Sequence, residues 1–274
     1  MKRHQFISGS IGLLLSGFIF VLPFMFIAQM AGKSVSEAST ADFSWPSQWQ
    51  FAQNFMEVIR ARDYMLITAY INSCIITVGA VTLLVIFGAM VGYILQRRPS
   101  AWNKLIYAAV LAGFMIPPAI VPTIWVLHLL GLFKTLSGMI LIQVAYGLSF
   151  SILLYRSFIA TIPRELDEAA IVDGAKPLQV FFKIILPLLK PVTITNVVIQ
   201  SIGIFNDFTN PLYYLPGRDN VTVQLTLYNF MSQFQSQFNL LFMNILLITI
   251  PPFLVFLFFN KQIVAGMTAG AVKG

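Results

Sequence analysis

Four carboxylates, Glu165, Asp167, Glu168 and Asp173, stand against the single cation Arg164 in residues 164–175 of a chain that is otherwise oily. Such a cluster suits electrostatic docking onto a basic or polar socket in water. No catalytic constellation accompanies it. The two histidines, His4 and His128, are far apart and lack acidic or cysteine neighbours, so no metal site is expected. Cys74 is the sole cysteine, which rules out a disulfide within the chain. There is no Gly-x-x-x-x-Gly-Lys-Ser/Thr phosphate loop, so this chain is not expected to bind ATP by that means.

The elements that position these acids are readable from their neighbours. Pro163 suits a helix start, because the first turn has no intrahelical donor bond to lose. Glu165, Asp167 and Glu168 then lie where the positive end of the helix dipole favours anions. Ala169, Ala170, Ile171 and Val172 continue the helix, and Gly174 supplies the left-handed stop. Lys176-Pro177 turns the chain into a second short helix over 178–186, which presents Val180, Phe181, Ile184 and Ile185. Pro187 and Pro191 end it and launch the next apolar run. The expected product is a pair of short helices with an exposed acidic, small-residue face. A loop resting on lipid headgroups would favour Lys and Arg there instead.

The rest of the chain sets this loop in a membrane. Of the 274 residues 58% are hydrophobic and 10% charged, against about 25% charged in a soluble domain. The reading is an all-α polytopic membrane protein. Six runs are long enough to span: 7–30, 65–95, 105–130, 138–159, 192–212 and 240–260. The first begins after Met-Lys-Arg-His and is read as an uncleaved span, since no small-residue cleavage site follows it directly. The second is long enough to tilt or to begin before the bilayer. Pro117, Pro118 and Pro122 should kink or break the third, and Pro251 and Pro252 the sixth, which makes both candidates for lining a pathway.

With the N-terminus inside, twelve cations fall on the cytoplasmic side and five outside (Lys33, Arg60, Arg62, Lys134 and Arg218), the asymmetry that fixes orientation. The net charge of +7 is explained by this bias, and no basic stripe interleaved with aromatics points to nucleic acid. Both termini and the Glu168 loop then face the cytoplasm. The division expected is a first span and outer loop (1–64), a core (65–260) containing the loop at 160–190, and a tail (261–274). Asn72, Asn206, Asp207 and Asn210 are polar groups in or beside spans, and Phe205 offers an aromatic face. They are candidates for a solute pathway, with interhelical hydrogen bonding as the competing role.

The spacing Glu168-Ala169-Ala170, Asp173-Gly174-Ala175, then Ile184-x-Leu186-Pro187 resembles the EAA loop of ATP-binding-cassette importer permeases. Asn72-Ser73 resembles the start of their core domain. Phe205-Asn206-Asp207-Phe208 with Pro211-Leu212 is similar to the fifth-helix motif of the carbohydrate branch, with Phe205 where tryptophan is usual. The ending, Gly266 to Gly274, is similar to that of MalG-type permeases.

The resemblance implies a type I importer permease fold with six transmembrane helices and both termini cytoplasmic, in a bacterial cell membrane. It implies a MalF-type partner permease, two ATPase subunits that carry ATP and magnesium, and an extracellular solute-binding protein. It also implies that Glu165, Glu168, Ala169, Ala170, Asp173, Gly174, Ala175, Ile184, Leu186 and Pro187 couple to the ATPase. Gly270, Ala271 and Lys273 would bring the tail to the ATPase dimer seam. The expected cargo is a sugar, with α-galactosides and maltodextrins as equal examples. The alternatives are a non-sugar solute on the same fold, or a secondary transporter, which should show inverted repeats and ion-coupling groups.

Overall fold

The apolar runs become helices because a backbone surrounded by lipid has to satisfy its own polar groups. In the computed structural model the described residues are 2–98, 100–231 and 237–271, with side chains described except at 2–11, 13, 14 and 261–271. In order the helices are α1 (Lys2–Ala31), α2 (Val35–Ala38), α3 (Phe51–Arg97), α4 (Ala101–Met115), α5 (Ile120–Leu129), α6 (Leu136–Ile159) and α7 (Glu165–Val172). Then come α8 (Pro177–Gln179), a π-helical stretch Val180–Ile185, α9 (Leu186–Leu188), α10 (Lys190–Phe205), α11 (Thr209–Tyr214), a 3-10 stretch Val223–Phe230 and α12 (Phe238–Ala271).

Among the described residues α3, α6 and α12 are each long and apolar enough to cross a membrane alone. The pairs Ala101–Met115 with Ile120–Leu129 and Pro177–Leu188 with Lys190–Phe205 qualify as bent spans, at 117° and 73°. In α1 the part from Leu15 to Ala31 forms a shorter apolar helix. The third expected span breaks at Pro117-Pro118, as proline sterics require, whereas Pro122 lies in the first turn of α5, where its missing donor costs nothing. The sixth is not broken: α12 stays helical through Pro251 and Pro252. Two adjacent prolines free neighbouring carbonyls in one turn, and a spanning helix tolerates that when local contacts cover them.

The chain divides into two compact units, 1–69 with 223–250 and 70–222 with 251–274. In the first, the ring of Trp49 lies on the backbone at Gly32, where a Cβ would collide with it. Ser34 and Glu37 close a capping box on α2. Lys33, fully buried, donates to the Asp42 carbonyl and carboxylate, both at 2.8 Å, and to Ser44 Oγ at 3.1 Å. Asn54 Nδ2 donates to the carbonyls of Ala31 and Lys33, at 2.8 and 2.9 Å, and Asn54 Oδ1 accepts from Asn239 Nδ2 at 3.0 Å. Within α3, Arg62, Asp63 and Tyr64 take positive φ of 49°, 58° and 60°. The helical path breaks there, and its apolar part begins at Met65.

The second unit carries the loop. Ile76, Ala80, Val81 and Leu84 of α3 pack with Met139, Ile142 and Val144 of α6 and with Ile204, Tyr214 and Leu215. At Gly88 and Gly92 the α3 backbone lies directly on α6: a Cβ on Gly92 would sit 2.9 Å from Tyr155 Cβ and 3.0 Å from Arg156 N. Small residues four apart permit this close approach. Helices α6 and α10 are joined by polar contacts, Ser151 Oγ to Asn196 Oδ1 at 3.1 Å and Tyr155 OH to Thr193 Oγ1 at 3.0 Å. Gln200 Nε2 donates to the Gly147 carbonyl and to Ser151 Oγ, each at 3.3 Å.

Candidate functional site

Helix α7 begins two residues after Pro163, and Glu165, Asp167 and Glu168 occupy its first turn. Gly174 ends it at φ +83°, and Ala175 N donates to the Ala170 carbonyl at 2.9 Å to close the C-terminal turn. Nothing lies within 4 Å of the position a Cβ would take at Gly174, so the backbone angle alone calls for glycine.

The second helix is longer than the expected 178–186. It runs from Pro177 through a widened π turn to Leu188, with Pro187 inside its last turn. A proline lacks the donor that a regular α turn needs, and the wide turn ends at Ile185, two residues before Pro187. Pro191 opens α10.

The loop is fastened by its inner face. Ala170, Val180, Phe181 and Ile185 enter a core with Ala89 and Tyr93 of α3, Tyr155 and Ile159 of α6, and Val192 of α10. Asp167 also turns inward. Its carboxylate lies 2.9 Å from Arg97 Nε at the end of α3, with the two side chains only 11% and 5% exposed. Arg97 Nη2 donates to the Ile162 carbonyl at 2.6 Å and to that of Pro163 at 3.4 Å. Arg164 Nη2 donates to the Gln96 carbonyl at 3.3 Å. Burial pushes the Asp167 carboxyl above its ordinary value, and the Arg97 guanidinium opposes that rise.

The opposite side is exposed. Glu165, Glu168, Ala169, Asp173, Gly174 and Pro187 are exposed; Ala175, Ile184 and Leu186 are half-buried; Ala170 is buried. The structure thus splits the expected coupling set between a presented face and an anchoring face. It adds to the presented face large apolar side chains that the acids overshadowed in the sequence: Ile171, Val172, Leu178 and Phe182. Arg97 was readable only as a topology-setting cation, because its partner lies far away in sequence.

The pathway candidates are held by different partners. Asn72 is buried, and its Nδ2 donates to the carbonyls of Asp219 and Val221 at 3.3 and 3.0 Å, which ties down the following loop. Phe205 is buried, with its ring 6.4 Å from that of Tyr70. Asp207 accepts from Asn210 N at 3.1 Å, from Asn210 Nδ2 at 2.6 Å and from Gln143 Nε2 at 2.5 Å, so it organises the first turn of α11. Asn206 is exposed. Gly270 and Ala271 lie where only the backbone is described, and Lys273 lies outside the described residues. Among the described residues no group of three or more His, Cys, Asp or Glu could hold a metal ion.

Residues 85–269 match the family of binding-protein-dependent transport system inner membrane components. The chain is 35% identical over 209 residues to the melibiose/raffinose/stachyose import permease MelC of Bacillus subtilis, covering 75% of this chain and 76% of that one. It is 29% identical to the diacetylchitobiose uptake permease NgcG of Streptomyces coelicolor, covering 99% and 90%. Its fold is similar to that of a bacterial ABC transporter involved in import of the acidic polysaccharide alginate. The TM-score is 0.83 at 20% identity, covering 94% of this chain and 96% of that one. With the loop geometry and these matches in hand, the chain belongs to the binding-protein-dependent inner membrane components, the membrane-embedded permease subunits of ABC importers.

Proposed function

We propose that this chain is one of a pair of permease subunits in an ATP-driven importer of oligosaccharides, and that the loop 160–190 is where a cytosolic ATPase grips it. The sugar reading rests on relatives whose names specify melibiose, raffinose and stachyose, diacetylchitobiose, and trehalose. The other partners are a second permease of MalF type, two ATPase subunits that hold ATP and magnesium, and an extracellular binding protein that delivers the sugar. Transport proceeds by alternation between two access states, and the ATPases drive it by displacing the docked loop.

One observation supports this most: Glu165, Glu168 and Asp173 are exposed beside exposed Ile171 and Val172, while the other face of the same helix is fixed to α3 and α6. A loop fastened on one side and presented on the other transmits force, whereas a loop resting on lipid has no need of the acids. The test places a cysteine at the presented face in a Cys74→Ser background, as Ala169→Cys, and treats the assembled complex in membrane vesicles with a short cysteine-to-amine cross-linker. The expected product joins this chain to the ATPase subunit and changes in yield with ATP. Labelling of Ala169→Cys by an impermeant reagent confined to the extracellular face of sealed vesicles, or a product formed only with lipid, overturns the assignment.

A further inference from the structure

The loop is covalently continuous with α6 and α10 only. Those two helices already behave as a pair, joined by the Ser151–Asn196, Tyr155–Thr193 and Gln200–Ser151 contacts. Helix α3 meets the loop through side-chain packing and an ion pair, since its backbone path to the loop runs through α4, α5 and α6. We propose that the Arg97–Asp167 ion pair is a transmission clasp, a positioning device that makes the cytoplasmic end of α3 follow α7 when the loop is displaced. The proposal rests on the reading of the loop as the ATPase grip.

Three observations carry it. First, Arg97 engages three consecutive parts of the loop's entry, the Ile162 and Pro163 carbonyls and the Asp167 carboxylate, so one side chain registers α3 against both the approach and the first turn of α7. Second, the neighbouring Arg98 is exposed. An exposed cation there already serves orientation in the membrane, so the buried Arg97 has a different task. Third, a buried ion pair roughly breaks even against apolar packing in stability, because desolvation offsets attraction. What it supplies is a fixed register, since a planar guanidinium accepts few arrangements of its partners. The reciprocal contact, Arg164 Nη2 to the Gln96 carbonyl, tightens the same junction from the other side.

The experiment measures ATP hydrolysed per sugar imported by the complete complex in proteoliposomes. Asp167→Asn keeps the side-chain shape and removes the charge. It is expected to raise that ratio about fivefold or more, the ordinary size of a coupling between linked sites, while the ATPase copurifies in its normal proportion. Asp167→Glu restores the charge and should recover most of the coupling, which a role in folding alone does not predict. If Asp167→Asn fails to assemble, Arg97→Lys takes its place, retaining the charge but not the planar register, with the same expected rise. An unchanged ratio in an assembled complex overturns the clasp, and so does loss of ATPase binding, which would make Asp167 a docking residue. Failure of the Ala169→Cys cross-link would instead overturn the reading of the loop and leave the clasp variants' ratio as a separate result.

Discussion

Two asparagine and aspartate side chains illustrate how little a residue type says without its partners. Asn72 and Asp207 both qualified from sequence as solute contacts, since sugars need hydrogen-bonding groups inside an apolar passage. In the structure Asn72 is committed to two backbone carbonyls and Asp207 to Asn210 and Gln143. Asn72→Ala should therefore cost about 1–3 kcal/mol by leaving buried carbonyls unpaired, seen as a lower melting temperature of the purified complex with the KM for sugar unchanged. A changed KM at unchanged melting temperature would return Asn72 to the passage. Gly174 was legible because only one residue type adopts its backbone angle freely, and φ is a local property. The Arg97–Asp167 pair was not legible, because pairing between residues so far apart depends on the packing of α3 against α6, and the charge of Arg97 already had a sufficient explanation in topology.

The helices show the same division between local and non-local causes. The break between α4 and α5 follows from Pro117-Pro118 and was expected. The break at Arg62-Asp63-Tyr64 was not, since that stretch holds neither glycine nor proline. Pro251-Pro252 lie within α12 without ending it, whereas the same residue type ends α4 at Pro117-Pro118. The approach of α3 to α6 was written in Gly88 and Gly92 at a spacing of four, a signal of helix contact in membranes that the polar motifs obscured. Gly92→Leu places a side chain where Tyr155 Cβ and Arg156 N already stand. Overpacking of this kind costs about 1–3 kcal/mol, so the variant should show reduced yield and a lower melting temperature of the assembled complex. An unaffected Gly92→Leu complex would mean that α3 and α6 part without consequence, and the junction described here would lose its support.

At the scale of the molecule, composition was enough to specify a helical membrane protein, and loop charges set the expectation that the acidic loop faces the cytoplasm. The family match over residues 85–269 agrees with the stretch that holds the loop and the helices around it. The number of crossings was harder to read, because bent pairs and a broken α3 do not correspond one to one with apolar runs. Everything proposed for the whole assembly passes through the loop: α7 presents its acids outward, α6 and α10 move with it, and Arg97 ties α3 to the same body. The most direct measurement is ATP hydrolysis by the complete complex, with and without sugar-loaded binding protein, when Glu168→Lys and Gly174→Val are combined in this chain. The account predicts that stimulation by the loaded binding protein falls about fivefold or more while the membrane subunits remain assembled; full stimulation in that double variant would contradict it.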